Sequence, residues 1–265
     1  MAKKIYFLSD LHLGLYPYEK SAAREKMLAN WLRENKDNIE ALYLVGDIFD
    51  FWHEHRYVVP KGFIRFFGVL AELRDAGVPI YFFTGNHDIW SYGYFTDELG
   101  IPVYASAIVK ELYGKTFYIG HGDGVWKKDY GYLALKWCFT NKVLQFMFSR
   151  LHPNLAMWIG QTWSKNSRYS KGIKPDEFMG AHKEHQLLFV KEHLPGKAID
   201  YYVFGHRHLP MVARVSDKTR VVNLGDWVYH YTYATFDGEK LTVQSVYEDK
   251  NKRVLDLDLR AEMEL

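Results

Sequence analysis

The 265-residue chain holds a single cysteine, Cys138, so it can build neither an intramolecular disulfide framework nor a site of several thiolates. That lone thiol reads as a small core residue, and its isolation suits a reducing compartment. No run of 18 apolar residues occurs, which excludes a membrane-spanning helix. The opening segment MAKKIYFLSD has only four apolar residues in a row ahead of Ser9 and Asp10, too few for the core of a secretion signal. Internal repeats and low-complexity tracts are also missing. The expectation is a cytoplasmic globular protein.

What is present is a composition that can bury a full core, 48% hydrophobic and 25% charged. The net charge of +2 hides an uneven distribution. Residues 127–175 carry nine Lys or Arg against one acid, Asp129, a balance of +8 that leaves −6 on the rest. Such asymmetry points to an anionic partner for the middle segment, the plainer alternative being a solvated helix face of one sign.

Strand-like and helix-length segments alternate through the first third: KIYFLSD (4–10), a helical stretch at 20–35, ALYLVGD (41–47), a second at 62–76, and IYFFTGN (80–86). That rhythm predicts βαβ units and a mostly parallel sheet. Two further strands are predicted at 107–112 and 115–123. Apolar residues at helical spacing then predict two or more helices within 128–170. A helix at 181–194 and a strand at 201–208 follow, and the short runs after 210 read as an antiparallel meander. The chain divides into a core, residues 1–126 and 176–265, and a basic, aromatic helical insertion, residues 127–175.

Five of the strand-like segments end alike, in FLSDLH (7–12), YLVGDIFD (43–50), FFTGNHD (82–88), YIGHGD (118–123) and VFGHRH (203–208). Each sets Asp, Asn or His just past a strand, the edge of an α/β sheet where ligands bind. Any one cluster could be a turn, a cap or a hydrogen-bonded core histidine. Five together would be five costly buried polar groups without a shared purpose. Carboxylate, imidazole and amide oxygen without sulfur are the donors that hard and borderline divalent cations take. Asp10, His12, Asp47, Asn86, His121, His206 and His208 are too many for one ion and suit two that share a carboxylate. His182, His185 and His193 read as a solvated helix face, and His53 and His55 have no clear assignment.

In order, these blocks read D-x-H, GD-x-x-D, GN-H-D, GH-G-D and GH-x-H, and the chain thereby resembles the calcineurin-like metallophosphoesterases. The resemblance implies a four-layer αββα sandwich and two divalent ions, with Mn²⁺ expected. It makes Asp47 the bridging ligand, assigns Asp10, His12 and His208 to one ion, and Asn86, His121 and His206 to the other. It implies hydrolysis at phosphorus, with His87 protonating the leaving oxygen or holding its charge and Asp88 orienting the His87 ring.

Within that superfamily, FLSDLHLG (7–14), YLVGDIFDFW (43–52), ELYGKTFYIGHGD (111–123) and VVNLGDW (221–227) resemble the UDP-2,3-diacylglucosamine pyrophosphohydrolases of lipid A biosynthesis. The implied substrate is a UDP-linked diacylated sugar, cleaved to UMP and the acylated sugar 1-phosphate, with Trp52, Asp129, Tyr132, Lys165, Arg168 and Lys171 as substrate contacts. Nucleic acid is not an expected partner, whereas an anionic membrane surface is, which would make the protein peripheral on a membrane. The insertion's Tyr132, Trp137, Phe139, Phe146, Phe148, Trp158 and Trp163 suit an acyl groove, or else form a small core of their own. Two positions depart from that group's frequent pattern: His87 stands where Arg is common, and Arg207 where Thr is. The rival readings are an enzyme acting on nucleotide or nucleic-acid phosphodiesters and a non-catalytic scaffold of the same fold, the latter expected to have lost ligands.

Overall fold

The computed structural model describes residues 2–171 and 176–263, with side chains for all of these except 167–171 and 252. In strand β1 (Lys4–Leu8), Ile5 and Phe7 enter one apolar cluster while Tyr6 and Leu8 enter another. In β2 (Ile39–Val45), Tyr43 and Val45 go with the first pair, Leu42 and Leu44 with the second. Alternation with both faces apolar describes a strand covered on both sides. One face of this sheet meets helices α1 (Tyr18–Asn35) and α2 (Ile64–Asp75) through residues such as Leu28, Leu32, Phe66 and Leu70. The other meets a second sheet.

The first sheet runs in the order β11 (Leu241–Ser245), β10 (Thr232–Phe236), β1, β2, β3 (Ile80–Phe83), β4 (Val103–Tyr104), and β1 to β4 are parallel. The second runs β12 (Leu255–Asp258), β8 (Met211–Arg214), β9 (Arg220–Asn223), β7 (Tyr201–Phe204), β6 (Lys115–Ile119), β5 (Ile108–Leu112). Phe7, Tyr43 and Phe83 from the first sheet pack against Phe117, Tyr201 and Val203 from the second, with Phe7 and Phe117 rings 6.1 Å apart. Tyr202 and Phe204, on the far face of β7, meet Leu187 and Val190 of helix α7 (His185–His193). The result is the expected four-layer αββα sandwich, an α/β fold.

The expected C-terminal meander is instead two hairpins in two sheets. β8 pairs antiparallel with β9 in the second sheet, and β10 with β11 in the first. The loop between β9 and β10 crosses over because its apolar residues are claimed by different clusters: Leu224 lies between the sheets and Trp227 under α1. Helix α3 (Tyr94–Leu99), β4, β12 and helix α8 (Arg260–Met263) are short additions that no periodicity announced.

Within the expected insertion, residues 127–175, lie three helices, α4 (Tyr130–Thr140), α5 (Lys142–Phe148) and α6 (Pro153–Lys171). Asp129 caps α4 by accepting from Tyr132 N at 3.2 Å, and Asn141 caps α5 by accepting from Val143 N at 3.0 Å. These helices build no core of their own. Trp137, Phe146, Trp158 and Trp163 are each more than half exposed, and Cys138 is exposed on α4 rather than buried. α6 instead lies directly on the core at Gly160, where a Cβ would come within 2.2 Å of the Phe51 ring.

Candidate dinuclear metal centre

Five strands deliver the expected ligands because they end on the same side of the sandwich. β1, β2 and β3 are parallel neighbours in one sheet, as are β6 and β7 in the other. Backbone bonds carry the order past the strand ends: Asp10 N donates to Gly46 O at 3.1 Å, and Gly205 N to His121 O at 2.9 Å. Gly46 and Gly85 are required by close approach. A Cβ on Gly46 would sit 2.4 Å from the His121 ring, and one on Gly85 2.2 Å from Asp47 Oδ1. Four of the seven expected ligands, Asp10, His12, Asp47 and His206, have φ between 43° and 67°. Non-glycine residues held there cost about 1–3 kcal/mol each, strain that concentrates at functional sites.

The structure brings all seven together. The metal-ligating atoms of Asp10, His12 and His208 lie within 4.8 Å of one another, as do those of Asp47, His121 and His206, and those of His12, Asp47 and His87. Asp47 Oδ2 stands between the first two sets, 3.8 Å from His12 Nε2 and 3.4 Å from His121 Nε2. Asn86 Oδ1 joins the second set, 2.9 Å from His206 Nδ1. The Nε2 atoms of His12 and His208 converge to 3.2 Å, each 3.6 Å or less from Asp10 Oδ1.

The donor set fits divalent cations. Asp10 Oδ1 and His121 Nε2 are buried and have no hydrogen-bond partner among the described residues, although an unpaired buried polar group costs about 1–3 kcal/mol. His121 Nδ1 donates to Val45 O at 2.9 Å, so Nε2 is the nitrogen that faces the cluster, and it can ligate once its proton is displaced. Burial opposes ionisation of Asp47, but the imidazoles of His121, His87 and His12 outweigh it and hold its carboxyl well below the usual range. Burial, reinforced by His121, pushes His206 down to about 4 and keeps its ring neutral, the form that ligates.

His87 and Asp88 separate in role. The His87 ring is held by Asp50, its Nδ1 2.7 Å from the Asp50 carbonyl, and its backbone N donates to Asp47 Oδ1 at 2.9 Å. Asp88 does not orient that ring. Its carboxylate is fully buried and accepts from Gly85 N at 2.6 Å and Ile48 N at 2.7 Å, fastening the β3 turn to the β2 turn. Burial and the nearby Asp47 charge raise its carboxyl to about 7 against those backbone donors.

Beside the ligands opens a cavity of about 760 Å³, lined by His87, Asn86 and His206 on one side and by Tyr132, Phe139, Phe148 and Trp163 of the insertion on the other. Tyr132 and Lys136 of α4 reach the core at Asp123, their Oη and Nζ 2.8 and 2.6 Å from its Oδ2. From α6, Ser164 Oγ donates to Asp50 Oδ2 at 2.7 Å. Of the expected substrate contacts, Tyr132 and Lys165 line the cavity, Lys165 with its ammonium 4.5 Å from the Tyr16 ring centre. Asp129 also borders it, but its carboxylate caps α4 and faces His185 at 3.4 Å. Trp52 borders the cavity too, but it is fully buried in the apolar cluster beneath α1 and α2, with Nε1 bonded to Glu54. The side chains of Arg168 and Lys171 lie outside the described residues. Among the described insertion cations, Lys128 and Arg150 stack on Trp126 and Phe146 away from the cavity.

Asp50 and Asp226 are site residues that the blocks contained without a role, Asp50 at the end of GD-x-x-D and Asp226 in VVNLGDW. Ser164 had no local signal, being one polar residue on a helix. His53 is buried against Trp90 and Phe148, where it seats α5, and His193 Nδ1 meets Tyr202 Oη at 2.8 Å.

Residues 3–210 match the sequence model of the calcineurin-like phosphoesterases. A protein of Porphyromonas gingivalis named UDP-2,3-diacylglucosamine hydrolase is 38% identical over 258 residues, covering 93% of this chain and 98% of that protein. Proteins of the same name from Histophilus somni and Edwardsiella ictaluri are 26% and 28% identical, over 85% and 88% of this chain and 92% and 88% of their own. Ligand geometry, fold and sequence agree: the chain belongs to the calcineurin-like phosphoesterase family.

Proposed function

We propose that the protein is a metal-dependent hydrolase that cleaves the diphosphate of UDP-2,3-diacylglucosamine to UMP and 2,3-diacylglucosamine 1-phosphate. The observation that carries the reading is near full-length similarity, 38% identity across 98% of a relative of that name, with the seven ligand residues clustered in this chain. When bound, a pair of divalent ions acidifies water and neutralises phosphoryl oxygens. Asp10, His12 and His208 would hold one ion, Asn86, His121 and His206 the other, with Asp47 shared; nitrogen and oxygen donors of this kind accept Mn²⁺.

The chain's own residues supply the rest. Asp50 holds the His87 imidazole beside Asp47 and His12, where its protonated form donates to, or holds the charge of, the departing phosphate. Tyr132 and Lys136, anchored on Asp123, bring α4 over His206, and the Tyr132 ring lies 5.9 Å from that imidazole. Phe139, Phe148 and Trp163 give the cavity an apolar side suited to acyl chains, next to a polar side suited to phosphate.

A lipid substrate must be met at a membrane. No helix among the described residues is long and apolar enough to cross one. The exposed faces of α4 to α6 present Trp137, Phe146, Met147 and Trp158 beside Lys142 and Arg150, a composition that suits peripheral docking on anionic headgroups. Mass spectrometry of the products from UDP-2,3-diacylglucosamine, with Mn²⁺ and with other divalent ions, tests the reading. Release of UMP and the acylated sugar phosphate supports it. Turnover of simple phosphodiesters without action on the lipid would overturn it.

A further inference from the structure

The VVNLGDW segment ends in a loop that touches the metal centre from behind. Trp227 N donates to Asp10 O at 3.1 Å, bracing the left-handed backbone of that ligand, while the Trp227 ring is fully buried against Trp31. Asp226 is fully buried and uses its two oxygens differently. Oδ1 accepts from the backbone N–H groups of Val228 at 2.6 Å, of Tyr229, and of His230 at 3.2 Å, so the carboxylate cannot rotate. Oδ2 accepts no hydrogen bond among the described residues and lies 3.6 Å from His208 Nδ1 and 4.0 Å from His230 Nε2. The opposite nitrogen of His208 is the one that converges on Asp10 and His12.

We infer that Asp226 is a positioning residue for His208. Its fixed anionic oxygen selects the tautomer with the proton on Nδ1, makes Nε2 the better electron donor, and holds the ring toward the ion that Asp10 and His12 share with it. Asp50 stands in the same relation to His12, with Oδ1 3.6 Å from Nδ1, whereas His121 is backed by a neutral carbonyl. The inference rests on the metal-centre reading above.

Asp226→Asn separates this role from capping, because an amide oxygen still accepts the three backbone donors while the group facing His208 loses its charge. The experiment titrates Mn²⁺ alone into metal-free protein against a competing fluorescent chelator, with melting of the metal-free forms alongside. In Asp226→Asn one of two equivalents should weaken by about 10–100-fold and the other should hold, while the metal-free protein still melts in one cooperative transition. His230→Leu should bind both ions as the wild type does, and in a His208→Asn background Asp226→Asn should add no further loss. A wild type that binds two ions while Asp226→Asn matches it overturns this inference alone, as does an equal loss in His230→Leu. A wild type that binds no ion overturns it together with the metal-centre reading.

Discussion

Asp47 is the residue whose loss should change most while disturbing the fold least. It lies between the two sets of expected ligands, 3.8 Å from His12 Nε2 and 3.4 Å from His121 Nε2, and its side chain does no apolar packing. Because its φ is 52°, Asp47→Asn is a cleaner probe than alanine: Asn tolerates that conformation and still accepts from His87 N. The variant should retain its far-ultraviolet dichroism, bind fewer than two Mn²⁺ by elemental analysis, and lose turnover; full activity would remove Asp47 from the centre. His87 gives a finer test. As a proton donor, its replacement by Ala should slow substrates with basic leaving groups, such as alkyl phosphates, by about 10²–10⁴-fold and phosphate-leaving substrates much less. Equal losses on both would assign it to charge stabilisation, and negligible losses to shaping the turn.

Among the elements, α5 has the seat most sensitive to acid. His53 is buried between Trp90 and Phe148, and neither ring nitrogen has a hydrogen-bond partner among the described residues. Burial, with a smaller push from His55, lowers its pKa to about 4 from an ordinary 6.5. Between those two values the unfolded chain binds a proton that the folded one refuses, so stability falls as the pH drops through that window. Thermal melts from pH 7 to pH 4 should therefore show a steeper loss in the wild type than in His53→Phe, which keeps an aromatic ring at the seat and removes the titration. Parallel curves would mean that the ring finds a partner when protonated. α6 is held differently, by the Gly160 contact with Phe51 and by Ser164 on Asp50. Both fall on one helix face, which is why a helix with an exposed apolar side still has a defined place over the centre.

For the molecule as a whole, the separation of charge and apolar surface makes a prediction about membranes. Residues 127–175, with a balance of +8, include the three helices that carry the exposed Trp137, Phe146, Met147 and Trp158. Binding to anionic vesicles should weaken as salt rises, since the Debye length shrinks from about 10 Å at 0.1 M to about 3 Å at 1 M. Replacing Trp137 and Trp158 with Ser should reduce the remaining high-salt binding without altering metal content. Vesicle sedimentation measures both, and salt-independent binding lost by neither change would place the contact elsewhere.

The ligand blocks could be read directly because each consists of neighbours in sequence, and a strand followed by small and polar residues is a local pattern. The α/β class followed from alternation, which reports the burial of each strand face wherever the partner lies. Distances across the sandwich decided the rest. That Asp88 fastens two turns while Asp50 holds His87 depends on which strand end lies above which, and no local pattern carries that information. The fates of Cys138, expected in a core, and of Trp137, expected in an acyl groove or a small core, both exposed, were likewise settled by tertiary packing, since helical periodicity states that a face is apolar but not what covers it. The split of β8 to β11 between two sheets has the same origin: their pairing was chosen by which cluster could bury Leu224 and which Trp227, a competition that exists only once both sheets have formed.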